Sequence, residues 1–108
     1  FRTHLFENLK IYDACETINT QAFRYSSSLK SVELGTGIKL INVYAFANNT
    51  ELTTVTIHTT TPPTLGSYAF DYCSKLAEIR VPASALETYK SASNWSAYAD
   101  IMVGIEGE

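Results

Sequence analysis

Three stretches of this chain carry the same apolar residues at the same spacing. They are Ile18, Ala22, Phe23, Leu29, Val32 and Leu34; then Ile41, Ala45, Phe46, Leu52, Val55 and Ile57; then Leu65, Ala69, Phe70, Leu76, Ile79 and Val81. The period is 23 residues, then 24. The extra residue falls in the connector Thr59-Thr60-Thr61-Pro62-Pro63, where an insertion costs least. A degraded copy comes first. Phe6, Leu9 and Ile11 precede Leu29, Val32 and Leu34 by 23 residues, and Phe1 stands one residue out of register with the repeat's Phe. The sequence thus opens inside a repeat, so an array cut from a longer one is expected and the lack of a leader peptide carries little weight.

A repeat this short cannot fold alone. Stacked copies bury a continuous apolar column, which predicts a quasi-one-dimensional coil. Phe23, Phe46 and Phe70 should lie above one another, about 4.8 Å apart if the coil keeps strand spacing. Each copy ends in strict alternation, Val32-Glu33-Leu34, Val55-Thr56-Ile57 and Ile79-Arg80-Val81. Period-two alternation with β-branched residues predicts a half-buried strand rather than a helix. One strand per turn, laid in parallel, gives a narrow sheet along one side.

A stack also needs its last turn covered. Ser84 with Glu87 three residues on reads as a capping box, placing a helix start near Ala85 after Pro82. Leu86, Tyr89 and Ala92 share one helical face, and Asn94 suggests a break. Trp95 and Tyr98 then supply large rings, read as part of a cap, with a carbohydrate platform as their alternative use. Ile101, Val103 and Ile105 alternate as a final strand, and the tail from Gly104 to Glu108 is expected to fray.

The Ala-Phe pair, the Leu six residues later and the alternating strand together resemble the BspA-like leucine-rich repeats of bacterial cell-surface proteins. The family's Cys three residues after Phe is matched by Cys73, with Ser26 and Asn49 in its place elsewhere. The family's strand-ending Pro is matched by Pro82 but not by Gly35 or His58. Val81-Pro82, Tyr89-Lys90 and Trp95 resemble the way such arrays close, so the likeness spans residues 15–102. It implies an α/β architecture: a leucine-rich-repeat-type right-handed solenoid with one short parallel β-strand per 23–24-residue turn, irregular convex arcs and a C-terminal helical cap. The expected layout is one domain over 1–108: a truncated repeat at 1–14, three full repeats at 15–82 and the cap at 83–108. The resemblance further implies a bacterial cell-surface or extracellular location and a protein partner, such as a host or matrix protein.

Chemistry is hard to place. The 108 residues contain no Gly-rich phosphate loop, Gly-x-Ser-x-Gly, His-Glu-x-x-His or Cys-x-x-Cys. Neither His4 nor His58 has an orienting carboxylate at a local spacing. No catalysis, metal or cofactor is expected. The formal charge is −3 and the 8 Lys and Arg are scattered, which argues against nucleic acid. No apolar run reaches the roughly 18 residues that would cross a bilayer. Cys15 and Cys73 belong to turns two levels apart, and a disulfide needs Cα atoms within about 7 Å, so free thiols are expected. Asn48-Asn49-Thr50 and Asn94-Trp95-Ser96 match the glycosylation acceptor pattern, a weak signal in a chain rich in Thr and Ser.

The outward face of the sheet is the candidate binding surface. Pleat alternation puts Lys10, Glu33, Thr56 and Arg80 in its central row. Asn8, Ser31, Thr54 and Glu78 form one flank, and Tyr12, Gly35, His58 and Pro82 the other. Lys10 should pair with Glu33 across strands. The candidate contact residues are Lys10, Tyr12, Glu33, Thr56, His58, Glu78 and Arg80. Three uses are open: a protein-binding or adhesion module, a structural spacer without its own ligand, or a glycan-binding module using Tyr12, Tyr25 and Tyr44. The open N-terminal sheet edge invites self-association.

Overall fold

The computed structural model describes residues 7–108, so the expectations for Phe1, His4 and Phe6 lie outside it. Strands β1 (Asn8–Ile11), β3 (Ser31–Leu34), β5 (Thr54–Ile57), β7 (Glu78–Pro82) and β8 (Met102–Ile105) form a parallel sheet in that order. The register follows the repeat: Lys10 lies opposite Glu33, Glu33 opposite Thr56, and Thr56 opposite Arg80. Val32, Leu34, Val55, Ile57, Ile79 and Val81 are buried on the inner face.

Each turn holds a second strand that the single-strand expectation missed. Strands β2 (Thr17–Ile18), β4 (Leu40–Ile41) and β6 (Thr64–Leu65) pair in parallel as a three-stranded sheet. Its inward residues are Ile18, Ile41 and Leu65, the first apolar position of each copy. Two residues are too few for alternation to show in a sequence.

The arcs between the sheets are regular. Gln21, Phe23 and Tyr25 donate backbone N–H bonds to the carbonyls of Val43, Ala45 and Ala47 one turn on. Tyr44, Phe46 and Asn48 do the same to Ser67, Ala69 and Asp71. The intervening N–H groups close tight turns within the arc, as Ala22 does to Asn19 and Ala45 to Asn42. Alternating donors between two directions requires left-handed residues. Gln21, Tyr25, Tyr44, Asn48, Tyr68 and Tyr72 have φ between 58° and 63°. For a residue with a Cβ this conformation costs roughly 1–2 kcal/mol, and Gly or Asn is the usual occupant.

The phenylalanines stack as expected. Ring centroids are 5.3 Å apart from Phe23 to Phe46 and 5.5 Å from Phe46 to Phe70, with the planes 10° and 5° from parallel. The position three residues after each Phe has a hydrogen-bonding task. Ser26 Oγ donates to the Phe23 carbonyl at 2.8 Å, and Asn49 Nδ2 donates to the same carbonyl at 3.0 Å from the next turn. Asn49 Nδ2 also donates to the Phe46 carbonyl, which Cys73 Sγ–H reaches at 3.2 Å from the turn after. A carbonyl has two lone pairs, and the Phe23 and Phe46 carbonyls each take one donor from their own turn and one from the next. Burial pushes the Cys73 thiol up to about 11, which keeps it protonated as a donor. Cys15 and Cys73 are both free thiols.

The C-terminal segment lies over the third turn. A 3₁₀ turn (Ala83–Ala85) leads into helix α1 (Leu86–Ser91), and a second 3₁₀ stretch (Trp95–Ile101) leads into β8. The helix begins at Leu86, but the capping box does not form. Neither Pro82 nor Ala85, which precede the two helical segments, makes a side-chain cap bond, and the Ser84 N–H donates to the Glu108 carbonyl instead. The Thr-Pro-Pro connector is more than tolerated length. Its Thr59 carbonyl accepts from Tyr89 Oη and its Pro63 carbonyl from Trp95 Nε1, both at 2.7 Å. Asn94 Nδ2 donates to the Leu65 carbonyl at 2.7 Å, at the open edge of β6. Trp95 is 1% exposed and tilts against Phe70 at 6.2 Å, which removes it as a sugar platform.

Two details of the C-terminus differ from expectation. Met102 faces the core beside Ile79, and Val103 lies outward beside Arg80, so β8 has the opposite parity to Ile101-Val103-Ile105. Glu108 does not end a frayed tail, because its side chain bonds His58.

Phe46→Ala should lower unfolding free energy by about 3–5 kcal/mol, since the ring is fully buried between two others. Phe23→Ala should cost less, since Phe23 is half-buried. Urea melts of the two variants test the order. Tyr89→Phe leaves the Thr59 carbonyl without its side-chain donor and should cost about 1–3 kcal/mol in the same melts.

Candidate binding surface

The outer face of the five-stranded sheet carries one central row across all five strands: Lys10, Glu33, Thr56, Arg80 and, added by β8, Val103. Lys10, Arg80 and Val103 are exposed, and Glu33 and Thr56 are half-buried. Arg80 Nε lies 3.5 Å from Glu78 Oε1 on its own strand. Asn8 and Ser31, on the Glu78 flank, share a side-chain hydrogen bond of 2.5 Å.

The opposite flank is not a row of free side chains. Gly35 and Pro82 are buried there. A Cβ at Gly35 would collide with Asp13, whose Oδ1 accepts the Thr36 N–H at 2.8 Å. Tyr12 is 71% exposed, with Lys10 Nζ 5.4 Å from its ring centroid.

The expected Lys10–Glu33 pair is not the contact Glu33 makes. Glu33 Oε2 instead reaches His58 Nε2 at 2.6 Å, while Glu108 Oε1 reaches His58 Nδ1 at 2.7 Å. The imidazole is therefore bracketed by two carboxylates, from a neighbouring strand and from the C-terminal tail. Its pKa is raised, chiefly by the Glu108 hydrogen bond and further by Glu33, against the opposing effect of burial. The orienting carboxylates are distant in sequence, so local spacing did not reveal them.

The candidate residues fall into two groups. Lys10, Tyr12, Glu33 and His58 line a cleft of about 430 Å³, joined by Asp13 and Glu108, which the sequence analysis did not select. Thr56, Glu78 and Arg80 form the rest of the open face and do not line it. Nothing in the sequence marks Glu108, because a residue in a Gly- and Glu-rich tail has no periodic partner. Among the described residues no group of three or more His, Cys, Asp and Glu is arranged to hold a metal ion. The two carboxylates at His58 approach opposite ring nitrogens and do not converge on one point. No helix among the described residues is long and apolar enough to cross a membrane. Asn48 and Asn94, the two acceptor-pattern residues, both hold internal bonds: Asn48 Oδ1 accepts from Arg24 Nε at 2.9 Å, and Asn94 donates to Leu65.

Parallel strands repeating along a coil, a column of core residues at one period and a polar outer sheet define a leucine-rich repeat protein. The BspA type Leucine rich repeat region matches residues 1–97 in six copies, and the chain belongs to that family. Leucine-rich repeats of this kind are generally non-catalytic, generally mediate protein interactions and are typical of bacterial surface proteins. No curated protein matches the chain.

The raised His58 pKa gives stability a pH dependence of definite sign. The bracket's contribution is fully present below the unfolded imidazole pKa of 6.5 and is lost as pH rises through the higher folded value. Thermal melts at a series of pH values above 6.5 should show this loss, and His58→Gln should flatten it. In an NMR titration, Glu108→Gln should lower the His58 pKa more than Glu33→Gln does.

Proposed function

We propose that the chain is a non-catalytic protein-binding module of a bacterial surface protein, serving adhesion through the outer face of its five-stranded sheet. The observation that carries this reading is the in-register row from Lys10 to Val103. It sets fixed charges of both signs and an exposed apolar residue on a rigid support whose other side is core. Charge complementarity on such a face selects a partner and speeds encounter more than it adds affinity. A partner spanning the face would meet Lys10, Glu33, Thr56, Glu78 and Arg80, with Tyr12 and the His58 bracket at one margin.

The coil is taken as right-handed, following the usual hand of parallel crossover connections. Residues 83–108 act as the C-terminal cap, and 1–108 as one domain. The extracellular location and a host or matrix partner rest on the family's habit.

The test is surface plasmon resonance of the immobilised chain against purified extracellular-matrix proteins. Arg80→Glu combined with Thr56→Arg should weaken binding at least tenfold with an unchanged melting temperature. If no matrix protein binds, or if the double variant binds as well as the parent, the sheet face is not an adhesive surface and a spacer role takes its place.

A further inference from the structure

We infer that the cleft where the third arc meets the segment after Asn94 is a binding site for a neutral pyranose sugar, stacked on Tyr68. The site lies away from the five-stranded sheet and is independent of the protein-binding reading.

Three observations build it. The first is an aromatic face. Tyr44 and Tyr68 stack at 5.5 Å with planes 19° apart, so Tyr44 covers one side of the Tyr68 ring. Tyr68 lines a cleft of about 300 Å³ that Tyr44 does not touch, and the residue is 60% exposed. The C–H face of a pyranose is the ordinary partner of such an isolated aromatic surface, and the volume, at the small end of ligand sites, suits one ring.

The second is a set of backbone donors. In the first two arcs the N–H groups of Gln21 and Tyr44 bond to the following arc. Tyr68 holds the same place in the third arc, which no fourth arc follows. Among the described residues its N–H meets no acceptor, and the segment from Asn94 to Tyr98 occupies the far wall. The donor that would have joined the next turn is left for a ligand.

The third is the polar lining. Asp71 and Asn94 supply acceptors, and Ser67 a hydroxyl. Tyr98 adds a phenol whose pKa is raised, chiefly by burial. Donors and acceptors around an aromatic face match the hydroxyls of a sugar. The Asp71 carboxylate weighs against an acidic one.

The experiment is an amide-NMR titration of the whole chain with mannotriose, maltotriose, chitotriose and a trigalacturonate. At least one neutral trisaccharide should shift Tyr68, Asp71, Asn94 and Tyr98, and the acidic one should bind at least fivefold more weakly. Tyr68→Asn should abolish binding while melting at or above the parent's temperature, whereas Tyr68→Phe should retain it. Asp71→Asn should erase the preference against the acidic sugar. Arg80→Glu on the sheet should leave every sugar constant unchanged. The inference is overturned if none of the neutral sugars shifts these amides, if the shifts fall on the sheet face, or if Tyr68→Asn binds as tightly as the parent.

Discussion

In this fold the backbone of one turn is satisfied chiefly by the next. Arc N–H groups such as those of Phe23 and Phe46 bond to carbonyls one turn on, and strands β1, β3, β5 and β7 pair with their equivalents in adjacent turns. Each turn must therefore copy its neighbour's trace, including the left-handed residues on either side of each Phe. The Phe column follows from this, because an identical trace brings identical side chains into stacks. So does the small-donor position three residues later, where Ser26, Asn49 and Cys73 differ in chemistry but all supply a hydrogen to a Phe carbonyl. Asn49 is the imperfect member. Its Oδ1 is buried without a partner, while its Nδ2 serves two turns.

The same dependence explains the ends. A last turn has no successor, so other groups must take over its unmet partners. Tyr89, Asn94 and Trp95 cover carbonyls of the connector and of β6, and β8 pairs with β7 as a further strand would.

Strands β1, β3, β5 and β7 and the Phe stack were legible in the sequence because they rest on apolar residues recurring at a spacing of 23 or 24. The sheet-face register followed directly, since pleat alternation converts spacing into orientation. The second sheet was hidden by its two-residue strands. The parity of β8 was hidden because Met102 and Gly104 carry less apolar signal than Ile101, Val103 and Ile105, yet pairing with Ile79 and Val81 decides which side faces the core. The His58 bracket depends on carboxylates 25 and 50 residues away, one of them in a tail with no pattern of its own. Lys10 was matched to Glu33 by adjacency alone, but a strand-end imidazole held by a second carboxylate offered Glu33 a closer partner.

The connector of the third turn bears on how such an array can change length. Thr59 and Pro63 present the carbonyls that Tyr89 and Trp95 require, and no other turn has a Thr-Pro-Pro segment. A duplicated turn placed between the first and third would meet matching neighbours on both sides. One added after the third would separate the connector from the segment that docks on it. Growth by internal duplication is thus open to this architecture, while growth at the C-terminal end is closed unless the connector moves with it.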